Sequence, residues 1–325
     1  MIYYIIIICS QFLKYFGMEG NILRNKNIKI TYTYNSSSDV VLFKGDTRNL
    51  LMTIPENSIQ LIVTSPPYNI GKEYEKKKDI EKYVIEQKEI IDLCIPLLTP
   101  SGSVCWQVGN YISTDSELIP LDIILYDIFK ANGLKLRNRI IWHFGHGLHT
   151  KRRFSGRYET ILWFTQDTDD YYFDLDSIRI PQIYPGKRHF KGPNIGKYSG
   201  HPSGKNPTDF WDFDCDVWDI PNVKANHIEK TEHPCQYPIG LVQRLIKALS
   251  KKGDWVLDPF LGTGSTACAA ILEDRKSIGA ELLPKYQVLS ENRIKTAWNG
   301  SLKTRPYDKP VYIPKRGSKL TQRTD

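Results

Sequence analysis

Trp255-Val256-Leu257-Asp258-Pro259-Phe260-Leu261-Gly262-Thr263-Gly264-Ser265-Thr266 reads as a buried strand, an acidic strand end, and a two-glycine turn that opens a helix. The apolar spacing extends that helix over Ser265–Leu272, and a second strand, Ser277–Ala280, ends at Glu281. Glycines after an acidic strand end let the backbone approach a nucleotide-like ligand closely. Glu281 lies near the roughly 20-residue offset at which an acid reaches ribose hydroxyls in Rossmann-type sites. The turn alone would serve a Rossmann oxidoreductase or a plain tight turn equally well. A third glycine at dinucleotide spacing is missing, however, and no Lys precedes Ser265-Thr266 as it does in a phosphate-binding loop. A nucleoside without a pyrophosphate therefore fits better than NAD or ATP.

Moving outward, Leu241, Leu245, Ile246 and Leu249 form one face of a helix before this motif, and Lys285–Trp298 forms one after it. The N-terminal half has the same rhythm. Strands are expected at Val40–Phe43, Gln60–Val63 and Ser103–Val108, and helices at Thr47–Ile54, Ile80–Leu98 and Glu117–Ala131. Leu136–Phe144 and Tyr158–Thr165 follow without a long helix between them, which suggests an antiparallel edge to a parallel sheet. The fold class is α/β. About Gln166 to Glu232 the rhythm is lost: the chain is rich in Gly, Pro, Tyr and Lys, then acidic and aromatic. Its aromatic residues (Tyr184, Phe190, Tyr198, Phe210, Trp211, Trp218) argue for partial order.

Thr64-Ser65-Pro66-Pro67-Tyr68-Asn69 directly follows the strand Gln60–Val63. Two prolines fix φ and remove two backbone donors, so the carbonyls there can accept from something else. An exocyclic amine is a donor. Ser65 Oγ and the Pro66 carbonyl can hold it, and Tyr68 offers a face on which an extruded base can stack. A proline-rich turn at a strand end is common, but this string at the C-terminal end of a buried parallel strand is much rarer, and ligands bind there.

Together the two motifs resemble the amino-DNA methyltransferases that modify cytosine N4 or adenine N6, over residues 40 to 300. The family's TSPPY or DPPY catalytic motif matches Thr64–Tyr68, giving Ser65, Pro66, Pro67 and Tyr68 catalytic roles. Its FxGxG cofactor motif matches Phe260, Gly262 and Gly264, preceded by Asp258. The resemblance implies S-adenosylmethionine as cofactor, with Glu281 on the ribose and Asp46 of Gly45-Asp46 at the adenine amino group. Glu232–Pro238, with His233, resembles the segment that closes over the methionine end. Catalytic motif first and cofactor motif last is the order of the family's β group. That order implies a circularly permuted, Rossmann-like S-adenosylmethionine-dependent methyltransferase fold with a seven-stranded, mostly parallel sheet. Residues 18–144 would be its catalytic half and 233–300 its cofactor half. Residues 145–232 would be an inserted target recognition region, whose edge strand 158–165 belongs to the sheet. Ser65 leans toward cytosine N4, and adenine N6 is the alternative. The mechanism implied is direct transfer to a flipped base in double-stranded DNA, in the cytoplasm. A cognate restriction endonuclease is a partner by analogy, and monomer or homodimer is left open. Rival readings are an RNA or protein amine methyltransferase and a silent DNA-binding subunit.

Charge agrees with a polyanionic partner: 44 Lys and Arg against 36 Asp and Glu give a net charge of +8. Lys151, Arg152, Arg153 and Arg157, then Lys187 and Arg188, are candidate phosphate contacts; a solvated basic loop is the plainer reading of the first group. His143, His146 and His149 lie in a Gly-broken loop whose spacing suits no single cation, so no metal is expected. Six scattered cysteines, with no CxxC, point to a reducing compartment. The acidic run Asp209–Asp219 cannot face phosphates, and its Trp211, Trp218 and Ile220 are expected to pack the middle region onto the catalytic domain. Residues 1–17 are apolar but too short to span a bilayer. They read as a non-native extension ahead of a working start at Met18, and residues 301–325 as a basic tail.

Overall fold

The computed structural model describes residues 27–144, 150–211, 220–224 and 226–305. The expectations for residues 1–17 and Met18, for His146, His149, Cys9, Cys215 and Trp218, and for the tail beyond residue 305 lie outside these described residues.

The N-terminal half supplies β1 (Ile30–Thr31), β2 (Val40–Lys44), α1 (Thr47–Leu51), β3 (Ile59–Thr64), α2 (Ile80–Cys94) and β4 (Leu98–Val108). A small hairpin, β5 (Asn110–Ile112) and β6 (Leu118–Pro120), leads into α3 (Leu121–Ala131), then β7 (Lys135–His143) and β8 (Tyr158–Thr165). After the middle region come β9 (Phe210–Trp211), α4 (Ile239–Leu249), β10 (Trp255–Asp258), α5 (Ser265–Leu272), β11 (Lys276–Glu281) and α6 (Pro284–Trp298).

The main sheet runs β1-β2-β11-β10-β3-β4-β8-β7-β9. Seven long strands form its body, and the two-residue β1 and β9 extend its edges. β10 and β11 pair in parallel with β3 and β2 respectively, so the C-terminal half fills the gap in the middle of the N-terminal sheet. β3, at the centre, is buried along its whole length, as a parallel strand covered on both faces must be. Alternate side chains divide the core in two. Val40, Leu42, Leu61 and Val63 pack with Leu241, Leu245 and Ile271 of α4 and α5. Val41 and Ile62 pack with Leu50, Ile91, Leu125 and Phe129 of α1, α2 and α3.

Three expectations need correction. Tyr158–Thr165 is not an edge strand: β8 lies between β4 and β7 and is antiparallel to both. Its continuous buried run from Thr160 is that of an interior strand. The helix expected over Glu117–Ala131 begins only at Leu121, with Pro120 as its N-cap residue. The helix expected to reach Leu98 ends at Cys94, where Pro96 turns the chain through a short 3₁₀ segment into β4.

In the middle region, Trp211 and Ile220 join the core, and Trp142 Nε1 donates to the Ile220 carbonyl at 2.8 Å. Tyr184 and Phe190, by contrast, are 72% and 78% exposed and add nothing to the packing. Among the described residues no helix is long and apolar enough to cross a membrane.

Candidate active site

Parallel pairing brings the C-terminal ends of β2, β3, β10 and β11 to one edge of the sheet. A cavity of about 440 Å³ opens there. Ser65, Pro66, Pro67 and Tyr68 line it together with Phe260, Gly262 and Glu281. Asp46 and His233 complete the set of sequence-predicted residues that face it.

Asp258 and Gly264 stand behind the wall. Asp258 is fully buried and accepts from Thr64 Oγ1 at 2.6 Å, Thr266 Oγ1 at 2.6 Å and Tyr237 OH at 2.9 Å. Its burial raises its pKa, while these donors oppose the rise. The carboxylate therefore ties the catalytic strand, the cofactor loop and the 233–237 segment together. Gly264 takes φ +74° as the cap residue of α5, and an added Cβ would sit 3.0 Å from Ser290 Cβ of α6. It shapes the turn and the packing behind it.

Gly262 is different. At φ +54°, an added Cβ would point to open space, with nothing nearer than His233 Nε2 at 3.8 Å. The missing side chain leaves room for a ligand against the loop. Glu281 accepts from Leu283 N at 2.8 Å, and burial, opposed by backbone amides including that of Gly262, pushes its pKa up to about 7. Asp46 caps α1 and is bound by the Arg48 guanidinium, whose hydrogen bonds hold it below the usual carboxylate range. Open backbone at Gly262, the carboxylates of Asp46 and Glu281 and a largely apolar lining fit a nucleoside bearing a short cationic chain.

The loop after the catalytic motif adds Ile70 and Tyr74 to the lining. Asn69, at φ +59°, closes the loop: Nδ2 donates to the Lys78 carbonyl at 2.8 Å, and Lys78 N donates to Oδ1 at 2.7 Å. Glu73 pairs with Lys285 at 2.9 Å and accepts from Tyr286 OH, pinning the loop to α6. Tyr74 stacks on His233 with centroids 5.1 Å apart. Burial there drives the imidazole pKa down to about 4, so it is neutral at pH 7.

Sequence reasoning missed several residues of the cavity, namely Tyr74, Gln107, Trp142, Glu159 and Lys224. Glu159 was hidden because it belongs to no motif; antiparallel β8 delivers its N-terminal end, where Glu159 stands, to the same edge. The candidate DNA contacts Lys151, Arg152, Arg153, Arg157, Lys187 and Arg188 do not line the cavity. The first four lie on the connection between β7 and β8, at the same edge of the sheet. Lys187 and Arg188 lie in an exposed lobe, where Arg188 sits over the Tyr198 ring at 4.0 Å and donates to the Gly196 carbonyl. His143 packs its ring beside Phe210.

This sheet order and paired-motif cleft define a methyltransferase of the S-adenosylmethionine-dependent, circularly permuted class. Residues 59–292 match the model of the N6/N4 DNA methylase family, and the chain belongs to that family. It is 47% identical over 245 residues to the type II methyltransferase M.BglII of Bacillus subtilis, covering 75% of this chain and 66% of that one. With M.ScaI of Streptomyces caespitosus it shares 36% over 268 residues, 80% and 83% of the two chains. Its fold matches a DNA modification methylase of Thermus thermophilus in complex with S-adenosyl-L-methionine. That match has a TM-score of 0.57 and 27% identity, over 80% of this chain and 96% of the other. The protein is thus an S-adenosylmethionine-dependent DNA amino-methyltransferase.

Proposed function

We propose that the enzyme methylates the exocyclic amino group of a base flipped out of double-stranded DNA, with cytosine N4 favoured over adenine N6. The observation that carries this reading is that one cavity is lined both by Ser65, Pro66 and Tyr68 and by Phe260, Gly262 and Glu281. Glu281 holds the cofactor ribose, Asp46 faces its adenine, and His233 with Phe260 packs against the remainder. S-adenosylmethionine, when bound, supplies the methyl group. Ser65 Oγ and the Pro66 carbonyl accept from the target amine and turn its lone pair toward that methyl, while Tyr68 stacks on the flipped ring. Asp258 and Gly264 act on the cofactor indirectly, by fixing the loop.

Residues 145–232 serve as the target recognition region between the catalytic half, 18–144, and the cofactor half, 233–300. Lys151, Arg152, Arg153, Arg157, Lys187 and Arg188 meet phosphates, which positions the duplex without reading its sequence. Modification paired with a cognate endonuclease in the cytoplasm is the setting this reading suits.

The test is incubation of the purified protein with labelled S-adenosylmethionine and unmethylated DNA, followed by nucleoside digestion and mass spectrometry. N4-methylcytosine is the expected product, and N6-methyladenine would keep the mechanism while reversing the base. Label in neither, with the cofactor still bound, would sink the proposal. Ser65→Ala should abolish methylation while cofactor binding survives, and so should replacing Pro66, which frees φ and restores a backbone donor where the carbonyl must be held.

A further inference from the structure

Glu159 stands at the N-terminal end of β8, which antiparallel pairing sets beside the C-terminal ends of β4 and β7. It shares the cavity with Ser65, Tyr68 and Gln107. Tyr68 OH donates to Glu159 Oε2 at 3.2 Å, and Gln107 Nε2 donates to the same oxygen. On its other side Tyr68 OH lies 3.0 Å from Ser65 Oγ. A phenol carries one hydrogen, and an ionised carboxylate only accepts. With that hydrogen committed to Glu159, Ser65 must be the donor to Tyr68. What Ser65 then presents to the cavity is lone pairs alone, the polarity that an amine donor requires.

We propose that Glu159 is a positioning residue that sets the direction of the Ser65–Tyr68–Glu159 hydrogen-bond chain and receives, at its far end, the proton lost by the target amine. The inference deepens the function proposed above and rests on it. The amine lone pair forms the new N–C bond as the S–C bond breaks, its electron pair staying on sulfur as a neutral thioether. The nitrogen, now carrying the positive charge, gives one N–H proton to Ser65 Oγ. Ser65 passes its own proton to Tyr68, and Tyr68 passes its proton to Glu159, which becomes a neutral acid and later returns the proton to water. Burial raises the Glu159 pKa while Tyr68, Gln107 and Lys224 oppose the rise, and the net upward direction favours a proton acceptor. The titratable groups that face it are Tyr68 from the catalytic loop, Lys224 from the 220–224 segment and Cys235 from the 233–237 segment.

The experiment compares wild type, Glu159→Gln, Glu159→Asp and Tyr68→Phe in single-turnover methylation of unmethylated genomic DNA, with enzyme in excess and pH varied. The side-chain amide that Glu159→Gln introduces can present N–H groups to Tyr68 and so reverse the chain at almost unchanged shape. Glu159→Gln should lower the rate by about 10²–10³-fold, with cofactor affinity by calorimetry and thermal melting unchanged. Wild type should lose rate on the acid side as Glu159 protonates, and Glu159→Gln should lack that limb. Glu159→Asp keeps a carboxylate and should recover part of the rate together with the limb. In the Tyr68→Phe background, where the chain is already cut, Glu159→Gln should cost little more. A wild type that methylates an amino base while Glu159→Gln keeps its rate and acid limb overturns this inference alone. So does Glu159→Asp losing as much as Glu159→Gln, which would mark a structural role. A wild type that methylates no amino base overturns the functional proposal, and this inference with it.

Discussion

Asp258 accepts three side-chain hydrogen bonds in a position closed to solvent, from Thr64, Thr266 and Tyr237. Truncating it leaves these hydroxyls buried without their acceptor, so Asp258→Ala should destabilise the cofactor-free protein by about 3 kcal/mol in denaturant unfolding. A residue whose role was to touch the cofactor would weaken binding and leave that apo stability intact. Glu281 makes the opposite case. Its pKa is raised to about 7, so the folded state holds this proton more tightly than the unfolded chain does. Its stabilising contribution is full below the unfolded carboxylate pKa and is lost as pH rises toward about 7. Ribose hydroxyls donate more strongly to an ionised carboxylate than to the neutral acid, so cofactor affinity should tighten over that same rise. Melting temperature and calorimetric Kd measured against pH should therefore reveal opposite trends in stability and affinity, and Glu281→Gln should flatten both. A pH-independent Kd in the wild type would remove Glu281 from the ribose. The motif residues were legible because each is a residue type its chemistry demands at a strand end. Glu159 was not: the antiparallel run of its strand was expected, but a lone acid at a strand start belongs to no motif, and its partners Tyr68 and Gln107 lie far away in the chain.

At the scale of the element, the turn into α5 depends on backbone that only glycine adopts cheaply. Gly264 combines φ +74° with a neighbour 3.0 Å from the missing Cβ, whereas Gly253 at φ +85° has nothing within 4 Å. Gly253→Ala should cost only the left-handed penalty of about 1–2 kcal/mol. Gly264→Ala adds a push against Ser290 and should cost more, with α6 displaced and cofactor binding weakened. Equal losses from the two in denaturant unfolding would refute the packing role of Gly264. Helix and strand identities followed from periodicity, since Leu241, Leu245 and Leu249 mark a buried helical face and Ile59–Thr64 an unbroken buried strand. The place of β8 inside the sheet did not follow, because sheet order is decided by long-range pairing that no local period encodes. The loop pinned by Asn69, Glu73 and Tyr74 was equally silent in sequence. The partners of Glu73 and Tyr74 lie on α6 and in the 233–237 segment, far downstream in the chain.

For the molecule as a whole, the order of motifs and the sheet agree. Strands from the two ends of the chain interleave, so cofactor loop and catalytic loop meet at one edge although they are far apart in sequence, as the register Leu257↔Ile62 records. The basic surplus is a property at the same scale, legible as attraction to polyanions but not as a docking surface. The β7–β8 connection, at the edge of the sheet where the cavity opens, supplies Lys151, Arg152 and Arg153, all exposed. Lys187 is exposed in the lobe that carries Tyr184 and Phe190. Arg188 is already engaged with Tyr198 and Gly196, so its loss would disturb the lobe as well as any phosphate contact. Lys187 and the three cations of the connection are therefore the cleaner probes. Each one that neutralises a phosphate should, on replacement by Ala, lower the slope of log K against log salt by about 0.9. The affinity loss should be the same on methylatable and unrelated duplexes, since phosphates carry no sequence. Fluorescence anisotropy titrations across a salt series measure both. A slope that stays at the wild-type value would return these residues to the solvated face that is the alternative reading of their sequence, and a loss confined to the methylatable duplex would make them readers of base edges.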